Sequence, residues 1–399
     1  MKKKIRLGVF GLSRGLSYAA QVKILENVEI VAMCDKRSET FERAAKMGTE
    51  KTKFFTDFDE FLKVKMDACI LTNYFNEHTP FAIRLLEKGI AVLSECTPAS
   101  TMAECVALVR AVERTGAKYM LAENYPFSKQ RMELARVYKE GTLGEVGFAE
   151  GEYVHPGYKK FQGAGRNDEE LHWRKFNPKT FYSTHAMAPL MLATGLEPVQ
   201  VIAAVAMDKA QNGYAEDKTG IMMVRMNNGA IFRIAGSCGL QPHQNWYRLS
   251  CTKGSIETVR GSKTDEMRLC YNNWCKPTED TPAETVYPAE WQEKGDLASK
   301  AGHGGGDFWV MEKFIKYLRG EEEPFFTVYH AVELSEIAIL GWKSAIGKGV
   351  PYAIPDLKDE EVRKIYENDT LTPFPDENGF CRYPNRTTWT DTSRDEKEG

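Results

Sequence analysis

"KIRLGVFGLSRGLSYAAQVKILENVEIVAMCD", residues 4–35, decides how the first part of the chain folds. "KIRLGVFGL" is a short apolar run closed by Gly11, as a buried strand would be. "SYAAQVKILENV" has helical spacing, and "EIVAMCD" reads as a second strand ending at Asp35. The alternation continues outward from this unit. "SETFERAAKMG" is a helix opened by a serine cap and stopped at Gly48, and "MDACILTN" is a strand. "PFAIRLLEKG" is a helix with proline at its start and glycine at its end. "IAVLSE", "TMAECVALVRAVERTG" and "KYMLAEN" then give strand, helix and strand. Strict strand–helix alternation predicts an α/β fold, a doubly wound parallel sheet of the Rossmann type over residues 1–124.

After Asn124 the pattern changes. "GEVGFAEGEYVH", "VQVIAAVAM", "TGIMMVRMNNGAIFRIAGSC", "WYRLSCTKGSIETVR" and "EMRLCYNN" read as longer strands, with "MNNGAI" as a hairpin turn. They predict an α+β domain over 125–355 with a large, mostly antiparallel open sheet. "GDFWVMEKFIKYLRGEEEP" and "VYHAVELSEIAILGWKSAIGKG" are helices expected to cover one of its faces. Residues 356–399 are charged and proline-rich, and read either as an arm wrapping a domain or partner subunit or as a disordered tail.

The chain has 399 residues, 42% hydrophobic and 27% charged, with a formal net charge of -3. That composition suits a soluble protein of two domains and leaves no basic surplus for a nucleic-acid partner. No apolar stretch reaches the ~20 residues of a membrane helix. The N-terminal run is too short and too interrupted for a signal peptide. Nine scattered cysteines, none in a CxxC pair, read as reduced thiols of a cytoplasmic protein.

The turn "GVFGLSRGLSYAA" is a degenerate form of the dinucleotide fingerprint G-x-G-x-x-G. Gly11 holds the first position, Ser13 and Leu16 replace the other two glycines, and Gly15 is displaced by one. With Arg14, these turn residues are the candidate cofactor contacts. Asp35 stands about 20 residues on, where a ribose hydroxyl is gripped; a strand-end cap is its structural alternative. Its charge favours NAD, whereas Lys36 and Arg37, which follow, could accept the 2′-phosphate of NADP.

The degenerate turn together with "CDKRSE", "FTDFDEFL", "ILTNYFNEH", "LLEKGIAVLSE" and "LAENY" resembles the Gfo/Idh/MocA oxidoreductase family over about residues 4 to 355. The resemblance implies a nicotinamide cofactor, a sugar or cyclitol substrate and a homodimer or homotetramer. It also implies that Thr72, Asn73, Glu95 and Asn124 line the cofactor, with His78 in a family loop where a helix-start histidine is the structural alternative. Most members read "EKP" where this chain reads "ECT", so Cys96 stands in place of a lysine that helps a proton leave the oxidised hydroxyl. A thiol with a free pKa of ~8.5 is a poor substitute.

"AEGEYVH", "HWR", "FYSTHAMAPL" and "GHGGGDF" are similar to one branch of that family, the NAD-dependent glycosidases of the α-N-acetylgalactosaminidase type, which also lack the lysine. Within these motifs the candidate catalytic residues are Glu150, His155, Tyr182, His185 and His303, and the candidate substrate contacts are Tyr153, Arg174 and Asp307. Tyr182 and His185, three apart at an expected helix start, could share a face and relay a proton. His172 beside Trp173 reads as structural, and the histidine spacing matches no metal-ligand pattern, so no metal is expected. Three functions follow, in this order. One is NAD-dependent oxidation of a sugar, glycoside or cyclitol hydroxyl. Another is a glycosidase or lyase that uses NAD transiently. The last is a non-catalytic regulator.

Overall fold

A computed structural model describes residues 4–155, 173, 176–209, 215–238, 244–376, 378 and 380–383. The chain forms two compact units. The first is Met1–Asn124 with Glu293–Val332 and Leu357–Thr370; the second is Tyr125–Gln292 with Glu333–Asp356 and Leu371–Gly399.

The first unit holds six parallel strands: β1 (Ile5–Phe10), β2 (Val28–Cys34), β3 (Lys53–Phe55), β4 (Ala68–Leu71), β5 (Ala91–Ser94) and β6 (Tyr119–Leu121). Their order is β3-β2-β1-β4-β5-β6, the doubly wound topology expected from the alternation. β4 and β5 are buried along their whole length, as central parallel strands are. Helix Met102–Thr115 shows how local chemistry fixes an element. Thr101 caps it by accepting from the Glu104 N–H, Glu104 accepts in return from the Ser100 N–H, and Gly116 ends it at φ 64°. Helix Gly306–Arg319, expected over the large sheet, belongs to this unit instead. So does helix Glu360–Tyr366 from the charged tail, where Arg363 pairs with Glu113.

The second unit holds β7 (Val146–Val154), β8 (Pro198–Lys209), β9 (Ala215–Met226), β10 (Ile231–Cys238), β11 (Gln244–Cys251), β12 (Gly254–Thr258), β13 (Glu266–Tyr271), β14 (Glu284–Pro288) and β15 (Tyr352–Ala353). They form one sheet, β14-β13-β12-β11-β7-β10-β9-β8-β15, in which only the β10–β7 pair is parallel. The "MNNGAI" turn joins β9 to β10, with Gly229 at φ 89°. Helix Thr184–Thr194 packs so closely on β7 that a Cβ on Gly151 would lie 2.1 Å from the Ala186 carbonyl oxygen. Strand alternation then sorts β7: Gly151 and Tyr153 face this helix, and Glu150 and Glu152 face away from it.

Candidate active site

In the first unit the strand order reverses between β1 and β4, and a doubly wound sheet opens its crevice there, at the carboxyl ends of the strands. Gly11 leaves β1 at φ 95°, and a Cβ on it would lie 2.3 Å from the Thr72 carbonyl oxygen. At Gly15 a Cβ would lie 2.6 Å from Thr72 Oγ1, so glycine is needed at both ends of the turn. Thr72 Oγ1 donates to the Gly11 carbonyl at 2.7 Å and so holds the turn shut against β4. Asp35, 5% exposed, accepts from Leu12 N at 2.7 Å through Oδ2 and from Arg37 N at 3.0 Å through Oδ1. It therefore does cap the strand end and the turn; Oδ1 also takes Arg37 Nε at 3.4 Å, and Oδ2 keeps a lone pair for a ribose hydroxyl.

Several buried polar atoms here lack partners: Asn73 Oδ1, Asn76 Oδ1, Asn124 Oδ1 and His78 Nε2. His78 is fully buried, burial lowers its pKa, and its Nδ1 lies 2.8 Å from the Thr97 carbonyl. A neutral ring donating from Nδ1 leaves Nε2 as an unmet acceptor. Unmet buried acceptors on the segments that follow β4 and β6 are what a dinucleotide's amide and hydroxyl donors would satisfy, so the residues fit that cofactor.

Arg14 is turned away from the phosphate-binding turn. Its guanidinium donates to Glu95 Oε1 at 2.5 Å, to Asp307 Oδ1 and Oδ2 at 2.7 and 3.0 Å, and to Tyr18 Oη at 2.8 Å. Asp307 is 0% exposed and also accepts from Asn124 Nδ2 at 2.9 Å and faces His303 Nδ1 at 3.0 Å. Burial pushes its carboxyl pKa up, but His303 and Arg14 outweigh burial and hold it well below the usual carboxylate range. Asp307 was expected to touch substrate; all of its described bonds run inward, and it acts as a clamp. Glu95 Oε2 accepts from Cys96 N at 2.8 Å. Cys96 Sγ donates to Glu123 Oε2 at 2.9 Å, and the Cys96–Thr97 peptide is cis. The residue in the lysine's place thus spends its proton on a buried carboxylate.

The second unit gathers rings around one imidazole. His185, 6% exposed, stacks on Tyr125 with centroids 4.1 Å apart, and meets Tyr153 and Tyr182 edge-on at 4.7 and 5.2 Å. His155 lies 5.6 Å from Tyr153, and Trp173 stacks on Tyr182 at 6.3 Å. Tyr153, His155, Tyr182 and His185 are therefore brought together as expected. Glu150 is not. Its parity on β7 puts it on the opposite face of the sheet from Tyr153, paired with Arg233 at 2.8 Å. Arg174 and His172 lie outside the described residues. Tyr125, Tyr18 and Glu123 were missed in the sequence, although "LAENY" contains two of them.

A local defect sets the position of His185. Pro189 sits inside helix Thr184–Thr194 and has no N–H for the carbonyl four residues back, which is that of His185. The hydroxyl of fully buried Tyr247 takes that carbonyl at 2.6 Å. The imidazole is thus anchored through its own backbone to β11.

Residues 127–363, more than half of the chain, match the family described as glycosyl hydrolase 109, C-terminal domain. The chain belongs to the glycosyl hydrolase 109 family. Residues 5–123 match the oxidoreductase family with an NAD-binding Rossmann fold, so this is an NAD-binding enzyme of the oxidoreductase class. Glycosyl hydrolase family 109 protein 2 of Akkermansia muciniphila is 25% identical, over 88% of this chain and 83% of its own. An alpha-N-acetylgalactosaminidase of Shewanella oneidensis is 23% identical, over 88% of this chain and 84% of its own. Among solved structures, an Agrobacterium radiobacter oxidoreductase in complex with NAD+ aligns with a TM-score of 0.71 at 14% identity, covering 88% of this chain and 99% of that one. Myo-inositol 2-dehydrogenase of Lactobacillus plantarum aligns at 0.68 with 18% identity, covering 88% and 100%. These structures share the fold.

Replacing Tyr247 with Phe leaves the His185 carbonyl buried and unmet, which should cost about 1–3 kcal/mol of stability. Urea denaturation of the variant reads this; an unchanged midpoint and slope would show that the carbonyl has found another donor.

Proposed function

We propose that this enzyme oxidises a carbohydrate hydroxyl with NAD as the hydride acceptor. In this reading the first unit holds the dinucleotide, and the aromatic cluster of the second holds the sugar and handles its proton. The observation that carries the reading is His185 enclosed by Tyr125, Tyr153 and Tyr182, rings that suit the apolar face of a sugar around a side chain type that exchanges protons at neutral pH. Bound nicotinamide supplies the hydride acceptor. Gly11, Ser13 and Gly15 let backbone approach the pyrophosphate, and Asp35 takes the ribose. Thr72, Asn73, His78, Glu95 and Asn124 shape the nicotinamide half, with Cys96 as a packing residue. Arg14 contributes by position, because Glu95 and Asp307 occupy its guanidinium. Tyr182 Oη takes the proton of the sugar hydroxyl and His185 receives it, a task the family's lysine leaves vacant here.

A second reading has specific support: the glycosyl hydrolase 109 match over 127–363, and a thiol where net dehydrogenases of the fold carry an ammonium. In it the sugar is oxidised, loses a proton and its aglycone by elimination, takes up water and is reduced again, so the net reaction is hydrolysis. The alpha-N-acetylgalactosaminidase relative makes N-acetylgalactosaminides the first substrates to try. The enzyme is read as cytoplasmic from its free thiols. It is read as a homo-oligomer from Ile202, Ile221 and Met223, which are exposed on the outward face of β8 and β9; light scattering that shows a monomer would remove this.

The test uses purified enzyme, NAD and a panel of nitrophenyl glycosides, with aglycone and NADH followed together. Stoichiometric NADH supports net oxidation, and aglycone without accumulating NADH supports the second reading. Tyr182→Phe and His185→Asn should each lower turnover by roughly 10²–10⁴-fold with NAD affinity kept. Unchanged turnover in both variants would contradict the role given to this cluster.

A further inference from the structure

Two cations follow Asp35, and either would serve the extra phosphate of NADP. Neither is deployed for it. Arg37 folds back on Asp35, donating from its backbone N at 3.0 Å and from Nε at 3.4 Å to the same Oδ1. Lys36 reaches instead across to the segment after β4, where its ammonium lies 4.1 Å from the centre of the Tyr74 ring. Glu77 closes the same turn, its backbone N–H donating to the Tyr74 carbonyl at 2.9 Å, and adds a carboxylate that attracts the same ammonium. A cation on an aromatic face near a carboxylate is held by both quadrupole and charge.

We propose that Tyr74 and Glu77 are specificity-determining residues, which keep Lys36 away from the ribose 2′ position and so make the site select NAD over NADP. This rests on the dinucleotide reading of the first unit and goes beyond it. Asp35 repels a 2′-phosphate, but repulsion by one carboxylate next to two available cations would discriminate weakly. Discrimination is a difference of two affinities, and it sharpens when the groups that would stabilise the wrong ligand are engaged elsewhere. Arg37 is engaged by Asp35 itself. Lys36 is engaged by Tyr74, on the segment after β4.

The two nucleotides share adenine, pyrophosphate and nicotinamide. Any general damage to the site therefore cancels in the ratio of their affinities, and that ratio is the readout. Isothermal titration of the full chain with NAD+ and NADP+ compares the wild type, Tyr74→Leu/Glu77→Gln, and the same double variant carrying Lys36→Ala. Freeing Lys36 for a charge-assisted bond to the 2′-phosphate should move the ratio toward NADP+ by about tenfold or more, and removing Lys36 should return it to the wild-type value. A ratio unmoved in the double variant overturns the proposal. So does a shift that persists without Lys36, because the effect would then come from lost ring or carboxylate alone. If wild-type protein binds neither nucleotide, the dinucleotide reading itself fails, a result distinct from either of these.

Discussion

The buried carboxylate of Asp307 organises the first unit. A charge with no exposed surface is tolerated only when paired and hydrogen-bonded. Asp307 meets that demand with Arg14 from the glycine turn, Asn124 from the end of β6 and His303 from its own glycine-rich loop. One side chain thereby fixes segments that begin near residues 14, 124 and 303. Through Arg14 it also fixes Glu95 at the end of β5, and through Glu95 the backbone of Cys96. This explains why a Rossmann unit built from the first 124 residues takes in a helix from beyond residue 300. It also explains why the turn tolerates serine at its second glycine position: Arg14 is directed into protein, and the shape of the turn is kept by Gly11 and Gly15 against Thr72.

The second unit depends on a complementary device. Pro189 removes one helix hydrogen bond, and the freed carbonyl of His185 is met by Tyr247 from β11. A helix defect thus becomes an anchor for the one imidazole that four aromatic residues surround or support. Arg131 lies over both Tyr125 and Tyr247, joining the stack below His185 to its anchor. Such an arrangement holds rings in fixed relation, which suits stacking on the apolar face of a hydroxylated ligand.

Much of this was legible in the sequence. Strand–helix alternation gave the doubly wound parallel sheet of the first unit, because right-handed crossovers leave few alternatives, but the three-residue edge strand Lys53–Phe55 was too short to read from periodicity. The need for Gly11 was readable from the strand before it. Parity was also available for Glu150: it stands three residues from Tyr153 on one strand, so the two cannot share a face, and family likeness outweighed that simple count. The role of Asp307 was not available, since its partner lies 293 positions away and no local pattern encodes the pair. Tyr125 was hidden for the same reason. It follows the end of the first domain's pattern, and its stacking on His185 is a tertiary contact.

The central claim is that carbohydrate chemistry here proceeds through a hydride moved to NAD. Stopped-flow absorbance with enzyme in excess over substrate tests it directly, comparing a substrate with hydrogen or deuterium on the oxidised carbon. Reduced nicotinamide should appear no later than product, and its rise should slow with deuterium, whether or not the signal later decays. Product formed with no reduced nicotinamide at any time and no isotope dependence would contradict the account.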